Sequence, residues 1–260
     1  MTVEPTSKFS LLTSEFPNRP RHAIILAAGM GTRLRSVVTG MPKGLIEMEG
    51  ETLVGRSVRL LRDAGMEQVT IVAGYGAEQY QRFAIGRSGV RVVLNDAYAT
   101  TGSMASLAVA LERIDEDVLV LESDIVYERR ALPSLIDQPA ADATLVSGPT
   151  GAGDEVWVWA VDGRLRAMSK RAGDLPGVTG EFVGITRLSV AAAASMTRTF
   201  RDFVDRLGHA QMDYETGALV EIADERPIAA TLVADLHWGE VDDERHFERV
   251  ARTVLPAIDR

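Results

Sequence analysis

Short apolar runs alternate with stretches of helical spacing through the first half of the chain. Ala23 to Ala28 is an unbroken apolar run ended by Gly29, the pattern of a strand buried on both faces. A glycine- and arginine-containing loop follows, to about Met41. Leu53 to Ala64 places Val54, Val58, Leu60 and Leu61 at helical spacing. Val69 to Ala73 predicts a second buried strand closed by Gly74, and Val90 to Leu94 a third, followed by the polar loop Asn95 to Gly102. Ser103 to Leu111 reads as a helix, and Val118 to Leu121 as a fourth strand carrying Glu122, Ser123 and Asp124 at its end. Strand and helix alternate three times, which predicts a parallel sheet with helices on both faces.

The rhythm then changes. Ala143 to Ser147, Val156 to Val161, Arg164 to Met168 and Phe182 to Leu188 read as strands, with the turn pair Asp162-Gly163 between two of them. Helices are predicted over Ala191 to Arg206 and Glu215 to Ala223, with a last one starting near Asp243. The expected fold is α/β: a mostly parallel, mixed sheet flanked by helices, with an antiparallel elaboration in the second half. Residues 21–260 read as one domain, and Met1 to Pro20 as a flexible extension. That extension lacks the basic start and apolar run of a secretory signal.

Composition narrows the chemistry. The net charge of −9 makes nucleic acid a poor partner, since phosphate contacts need clustered Lys and Arg. No apolar stretch approaches the length of a membrane span. The absence of cysteine removes disulfides and thiolate metal sites and suggests a reducing, cytoplasmic setting. His22, His209, His237 and His246 lack metal-ligand spacing.

The most informative segment is Leu26-Ala27-Ala28-Gly29-Met30-Gly31-Thr32-Arg33-Leu34, leaving a strand where open α/β sheets bind ligands. Its small residues let the backbone approach a triphosphate, successive amides can donate to phosphate oxygens, and Arg33 adds a forked cation. A dinucleotide fingerprint would need glycine in place of Leu34, and a P-loop would need Gly-Lys-Ser or Gly-Lys-Thr. An ordinary glycine turn is the plain alternative. Met41-Pro42-Lys43-Gly44-Leu45, some ten residues on, tips the balance.

The two paired motifs resemble the signature of the MobA-like and sugar-phosphate-type nucleotidyltransferases, over nearly the whole chain from Arg21. The C-terminal part is most similar to the bacterial choline-phosphate and 2-aminoethylphosphonate cytidylyltransferases. The resemblance implies a Rossmann-like nucleotidyltransferase fold, Mg²⁺ as cofactor, and CTP and a small phosphonate or phosphate acceptor as partners. It implies a nucleotide site at Leu26, Ala27, Ala28, Gly29, Gly31, Thr32, Arg33, Lys43, Gly74, Tyr75, Asn95, Ser103 and Ser106. Arg33, Lys43 and Lys170 would carry catalysis, and Asp124 and Asp242 would hold the metal. Lys170, Tyr214, Glu215 and Glu240 would receive the acceptor, the last three around an amine or trimethylammonium group.

Simpler readings stand beside these. Asp124 also fits a strand-end turn, Asp242 a helix N-cap, Glu215 a favourable first helical turn, and Trp157 and Trp159 core packing in a strand. A sugar-1-phosphate nucleotidyltransferase using another NTP, or a non-catalytic nucleotide-sensing domain, remains an alternative. A homodimer is left open.

Overall fold

The apolar runs assemble into one nine-stranded sheet in the structure, a computed structural model that describes residues 19–31 and 40–258. Of the predicted N-terminal extension only Arg19 and Pro20 fall among the described residues, and Arg19 pairs there with Asp137. The first run is β1 (His22–Ala27). A small hairpin, β2 (Glu47–Met48) and β3 (Glu51–Thr52), leads into α1 (Leu53–Asp63), which Thr52 caps by accepting from the Gly55 amide. Then come β4 (Gln68–Ala73), α2 (Ala77–Ala84), β5 (Val90–Leu94), α3 (Ser103–Leu111) and β6 (Val118–Glu122). In space these four strands run β5-β4-β1-β6, all parallel, as the first half predicts.

The elaboration begins with β7 (Ile125–Tyr127) and α4 (Ala131–Ile136), then β8 (Ala143–Ser147), β9 (Trp157–Val161), β10 (Arg164–Ser169) and β11 (Gly180–Leu188). α5 (Val190–Leu207), a π-helical turn over Tyr214–Leu219, α6 (Val220–Ala223), β12 (Ala229–Val233) and β13 (Trp238–Glu240) follow. The described chain ends in α7 (Glu244–Arg249), a π-helical stretch Val250–Val254 and α8 (Leu255–Ile258). β11 joins the sheet antiparallel to β6, and the order continues β8-β12-β10-β9, with β9 also touching β11. The predicted antiparallel half is therefore present, except that β12 inserts parallel to β8.

Two apolar layers hold the sheet. One packs α1 and α4 against one face through residues such as Val54, Leu61, Ile71 and Leu135. The other packs α3, α5 and the turn at Tyr214 against the opposite face through Ile24, Leu107, Met196 and Leu219. A third cluster seats the C-terminal helices on the hairpin and β7 through Ile46, Val126 and Val250. The C-terminal ends of β1 and β6 are thus left at a crevice, with β13 pairing β7 beside it. No helix among the described residues is long and apolar enough to cross a membrane.

Candidate active site

The glycine loop after β1 opens onto a cavity of about 530 Å³, within the range of small-molecule sites. Leu26, Ala27, Ala28, Gly29 and Gly31 line it, and Thr32 and Arg33 lie outside the described residues. Gly31 has φ +55°, and a Cβ there would fall 2.8 Å from Lys43 Cγ. Glycine at this position therefore lets Lys43 run against the loop. Lys43 starts a short 3₁₀ turn, Lys43–Leu45, behind Pro42. Its ammonium lies 3.1 Å from Asp124 Oδ2 and also bonds Asp242. A residue on the loop, one past β6 and one past β13 thus meet at one point.

The N-cap reading of Asp242 does not hold, whereas Asp124 does stand in the turn between β6 and β7. Asp243 is the N-cap of α7, accepting from the His246 amide at 2.9 Å, which leaves Asp242 to face the lysine. Asp124 is likewise turned to the lysine, 15% exposed on its side chain.

The side of the cavity expected to take the acceptor is built mainly of carboxylates. Glu215 stands in the π-helical turn, a departure from α-helix that recurs at functional sites. It is 7% exposed, and Ser103 Oγ approaches it at 3.4 Å while accepting from the Tyr214 amide at 2.8 Å. Tyr214 is fully buried and packs edge-to-face on Phe182, centroids 6.2 Å apart. Glu240 reaches the cavity from β13, and Lys170 stands at its rim, 3.8 Å from Asp213. Ser106 also lines the wall.

Three predicted positions do not reach the cavity wall. Asn95 is 4% exposed because its amide bridges Thr101 (3.1 Å) and Ser106 (3.0 Å) while its oxygen accepts from the Ala97 amide, so it holds the loop before α3. The Tyr75 amide donates to the Ala28 carbonyl at 3.2 Å, which sets Gly74 and Tyr75 behind the phosphate loop, and Tyr98 takes the wall instead. Trp157 and Trp159 stand on β9 outside the lining.

Sequence reasoning passed over Glu122 and Asp154, both in the wall, which Glu181 also joins. Asp154 comes from the loop between β8 and β9, which α7 holds through Arg245 and His246 on the Ala152 carbonyl. Glu181 accepts from the Thr150 amide and hydroxyl at 2.7 and 3.0 Å.

Nine carboxylates and two lysines line the cavity among the described residues. Burial, then the Glu240 and Glu215 charges, push Glu122 well above the ordinary carboxylate range. Burial, followed by Asp213, raises Glu215 to about 7, and burial raises Glu181 to about 7. The cavity is therefore short of cations. The carboxylate oxygens of Glu122, Asp124 and Glu240 lie within 4.8 Å of one another, as do those of Asp154, Glu240 and Asp242. Hard oxygen donors at such spacing fit a cation, either a divalent ion of the magnesium type or an ammonium group that gives one N–H to each oxygen.

A stability signature follows from Glu215. A carboxyl raised from 4.5 to about 7 takes up a proton on folding within that interval, so stability is fully present below it and declines as pH rises through it. Glu215→Gln stays neutral throughout. Without ligands its Tm is expected to gain on the wild type between about pH 5 and about pH 8. A Tm difference independent of pH would show that Glu215 titrates normally.

A glycine loop on a parallel sheet, with a lysine and two aspartates at its mouth, is the arrangement expected of the nucleotidyltransferase class. Residues 23–193 match the MobA-like NTP transferase domain, and the chain belongs to that family. It is 29% identical over 248 residues to the CMP-5'-(3-aminopropyl)phosphonate synthase of Streptomyces rubellomurinus, covering 86% of this chain and 37% of that protein. It is 26% identical over 223 residues to the 2-aminoethylphosphonate cytidylyltransferase of Lancefieldella rimae, covering 83% and 87%. The chain thus spans little more than a third of the first relative and most of the second. Its fold matches the inositol-1-phosphate CTP transferase from T. maritima with a TM-score of 0.75 at 18% identity, over 87% of this chain and 91% of that one.

Proposed function

We propose that the chain transfers CMP from CTP to a small phosphonate or phosphate bearing a cationic head, of the aminoethylphosphonate or phosphocholine type, and releases pyrophosphate. The observation that carries this reading is the convergence of Lys43, Asp124 and Asp242 beneath the glycine loop. The Streptomyces and Lancefieldella relatives, a CMP-aminopropylphosphonate synthase and an aminoethylphosphonate cytidylyltransferase, support the CMP group and the phosphonate acceptor.

An acceptor oxygen, already anionic at neutral pH, forms a bond to the α-phosphorus. The bond from that phosphorus to the α–β bridging oxygen breaks, and its electron pair leaves with pyrophosphate. No covalent enzyme intermediate and no general base are needed. The protein positions two anions and offsets their repulsion. The loop amides face the phosphates, Lys43 neutralises the α-phosphate, and Arg33 serves the same oxygens on the strength of the sequence motif. Lys170 orients the acceptor's phosphonate from the rim. Asp124 and Asp242 would hold Mg²⁺, which when bound supplies charge neutralisation at the phosphoryl oxygens. Tyr214, Glu215 and Glu240 face the cationic head.

The test is pyrophosphate release from a matrix of CTP, UTP and GTP against 2-aminoethylphosphonate, phosphocholine, 2-hydroxyethylphosphonate and glucose 1-phosphate. CTP with a cationic acceptor is expected to give the highest kcat/KM. Preference for a sugar phosphate with UTP or GTP would replace this reading, and release with no pair would remove it.

A further inference from the structure

We propose that Glu122, acting with Glu215 and Glu240, selects a primary ammonium head and rejects a quaternary one, so that the acceptor is an aminoalkyl compound and not a choline-type one. The proposal rests on the transferase reading above and adds to it both a residue and a narrower substrate class.

Glu122 is the last residue of β6, where an apolar run ends in a carboxylate facing the cavity. The neighbouring strand is shaped around it. β11 shifts register between Phe182 and Thr186 in its pairing with β8, and inside that bulge Gly184 adopts φ +83°. A Cβ at Gly184 would lie 3.0 Å from Glu122 Oε2 and 3.3 Å from Ile125 Cγ2. The bulge thus clears a seat for this carboxylate, a device common beside active sites. Glu240, on β13, brings a carboxylate oxygen within 4.8 Å of one of Glu122, and Glu215, from the π-helical turn, lines the same cavity. Three carboxylates from three separate elements thus line a cavity whose wall carries no described lysine or arginine other than Lys43 and Lys170.

The shape of this cluster distinguishes two kinds of cation. A primary ammonium has three N–H donors and can give one to each carboxylate. A trimethylammonium has none, and is recognised by open aromatic faces within about 6 Å. The rings at this end of the cavity offer little face. Tyr214 has no exposed surface, Phe182 is 4% exposed against it, and Trp238 is 5% exposed with its indole N–H donated to Ser147. Methyls would cover the carboxylates without pairing them, which is costly for buried polar groups.

The experiment uses the full chain with CTP and Mg²⁺, and compares 2-aminoethylphosphonate, its N-trimethyl derivative and 2-hydroxyethylphosphonate by kcat/KM. Wild type is expected to favour the primary amine over the trimethyl compound by at least about a hundredfold, because a site built for N–H donors rejects analogues lacking them. E122Q is expected to reduce the advantage of the amine over the hydroxyl compound by at least about thirtyfold, mainly through KM. Glu122→Asp, which keeps the charge but withdraws it by one methylene, should move the ratio the same way and serves if E122Q does not fold. Wild-type use of the trimethyl compound within a few-fold of the amine would overturn the proposal. So would an unchanged amine-to-hydroxyl ratio in the variants, or loss of Mn²⁺ binding in E122Q, which would make Glu122 a metal ligand. Preference for the trimethyl or hydroxyl compound leaves the transferase reading standing, whereas no pyrophosphate from any of the three and from sugar phosphates removes both.

Discussion

Lys43→Ala is expected to lower kcat about a hundred- to a thousandfold, the loss seen when one preorganised donor to a developing oxyanion is removed. Lys43 is only 17% exposed and is held between Asp124 and Asp242, so its ammonium is already placed and little reorganisation is needed when the nucleotide enters. The same placement predicts a second effect. Without the lysine, two carboxylates on one point lose their shared cation, and the unliganded variant should be less heat-stable than the wild type. Added Mg²⁺ should recover that stability without recovering turnover. Lys43→Arg is not expected to rescue, because the path beside Gly31 fits a narrow alkyl chain and a planar fork replaces a point charge. Pyrophosphate release and thermal denaturation measure the two effects. A variant within a few-fold of wild type in turnover would remove Lys43 from the mechanism.

Much of the fold was legible because the strands that carry it are mostly buried on both sides, the edge strand β5 excepted. β1, β4, β5, β6, β8 and β11 stand in the sequence as apolar runs, and α1, α3 and α5 show clear helical periodicity or an apolar stretch of helical length. The elements that were not legible are short or get their stability from distant partners. β7 and β13 have three residues each and exist because they pair across more than a hundred positions. β12 is only half-buried and takes its place from β8, so its alternation is weak. α2 buries Tyr80 alone among its residues. The predicted helix from Glu215 is in fact a π-helical turn running into α6, a difference of backbone spacing that side-chain pattern does not encode.

The site divides along the same line. The phosphate end lies on contiguous motif, so Gly31 and Lys43 could be placed from the sequence, and Asp124 from its position at a strand end. Glu122 was passed over because it closes an apolar strand and reads as that strand's boundary; its significance lies in the bulge of β11, about sixty positions away. Asp154 sits in a glycine-rich loop whose position depends on contacts from α7, over ninety positions on. Asn95 differs in the opposite sense. Its polar loop suggested a ligand contact, and the structure spends its amide on Thr101 and Ser106.

Activity is expected to require a divalent metal, and Asp124→Asn and Asp242→Asn are each expected to lose about a hundredfold or more. The argument is one of charge. Nine carboxylates and two lysines line the described cavity, and the proposed reaction brings a triphosphate and a phosphonate into it. At effective interior dielectric constants of about 20, like charges roughly 4 Å apart repel by about 4 kcal/mol per pair, so the substrates cannot assemble without added positive charge. Lys43 is already committed to the two aspartates in the unliganded site. A divalent ion that takes over those carboxylates would free the ammonium to turn toward the phosphates. Each aspartate has a distinct signature in this scheme. Asp242 is 4% exposed and faces Asp154 and Glu240, so its amide variant should weaken Mn²⁺ binding even without nucleotide. Asp124 adjoins Glu122 and Glu240, and its variant should weaken binding most when CTP is present. EDTA should abolish pyrophosphate release, and Mg²⁺ in excess should restore it. Full turnover in EDTA, or Mn²⁺ affinity unchanged in both variants, would show that these carboxylates serve only to hold Lys43.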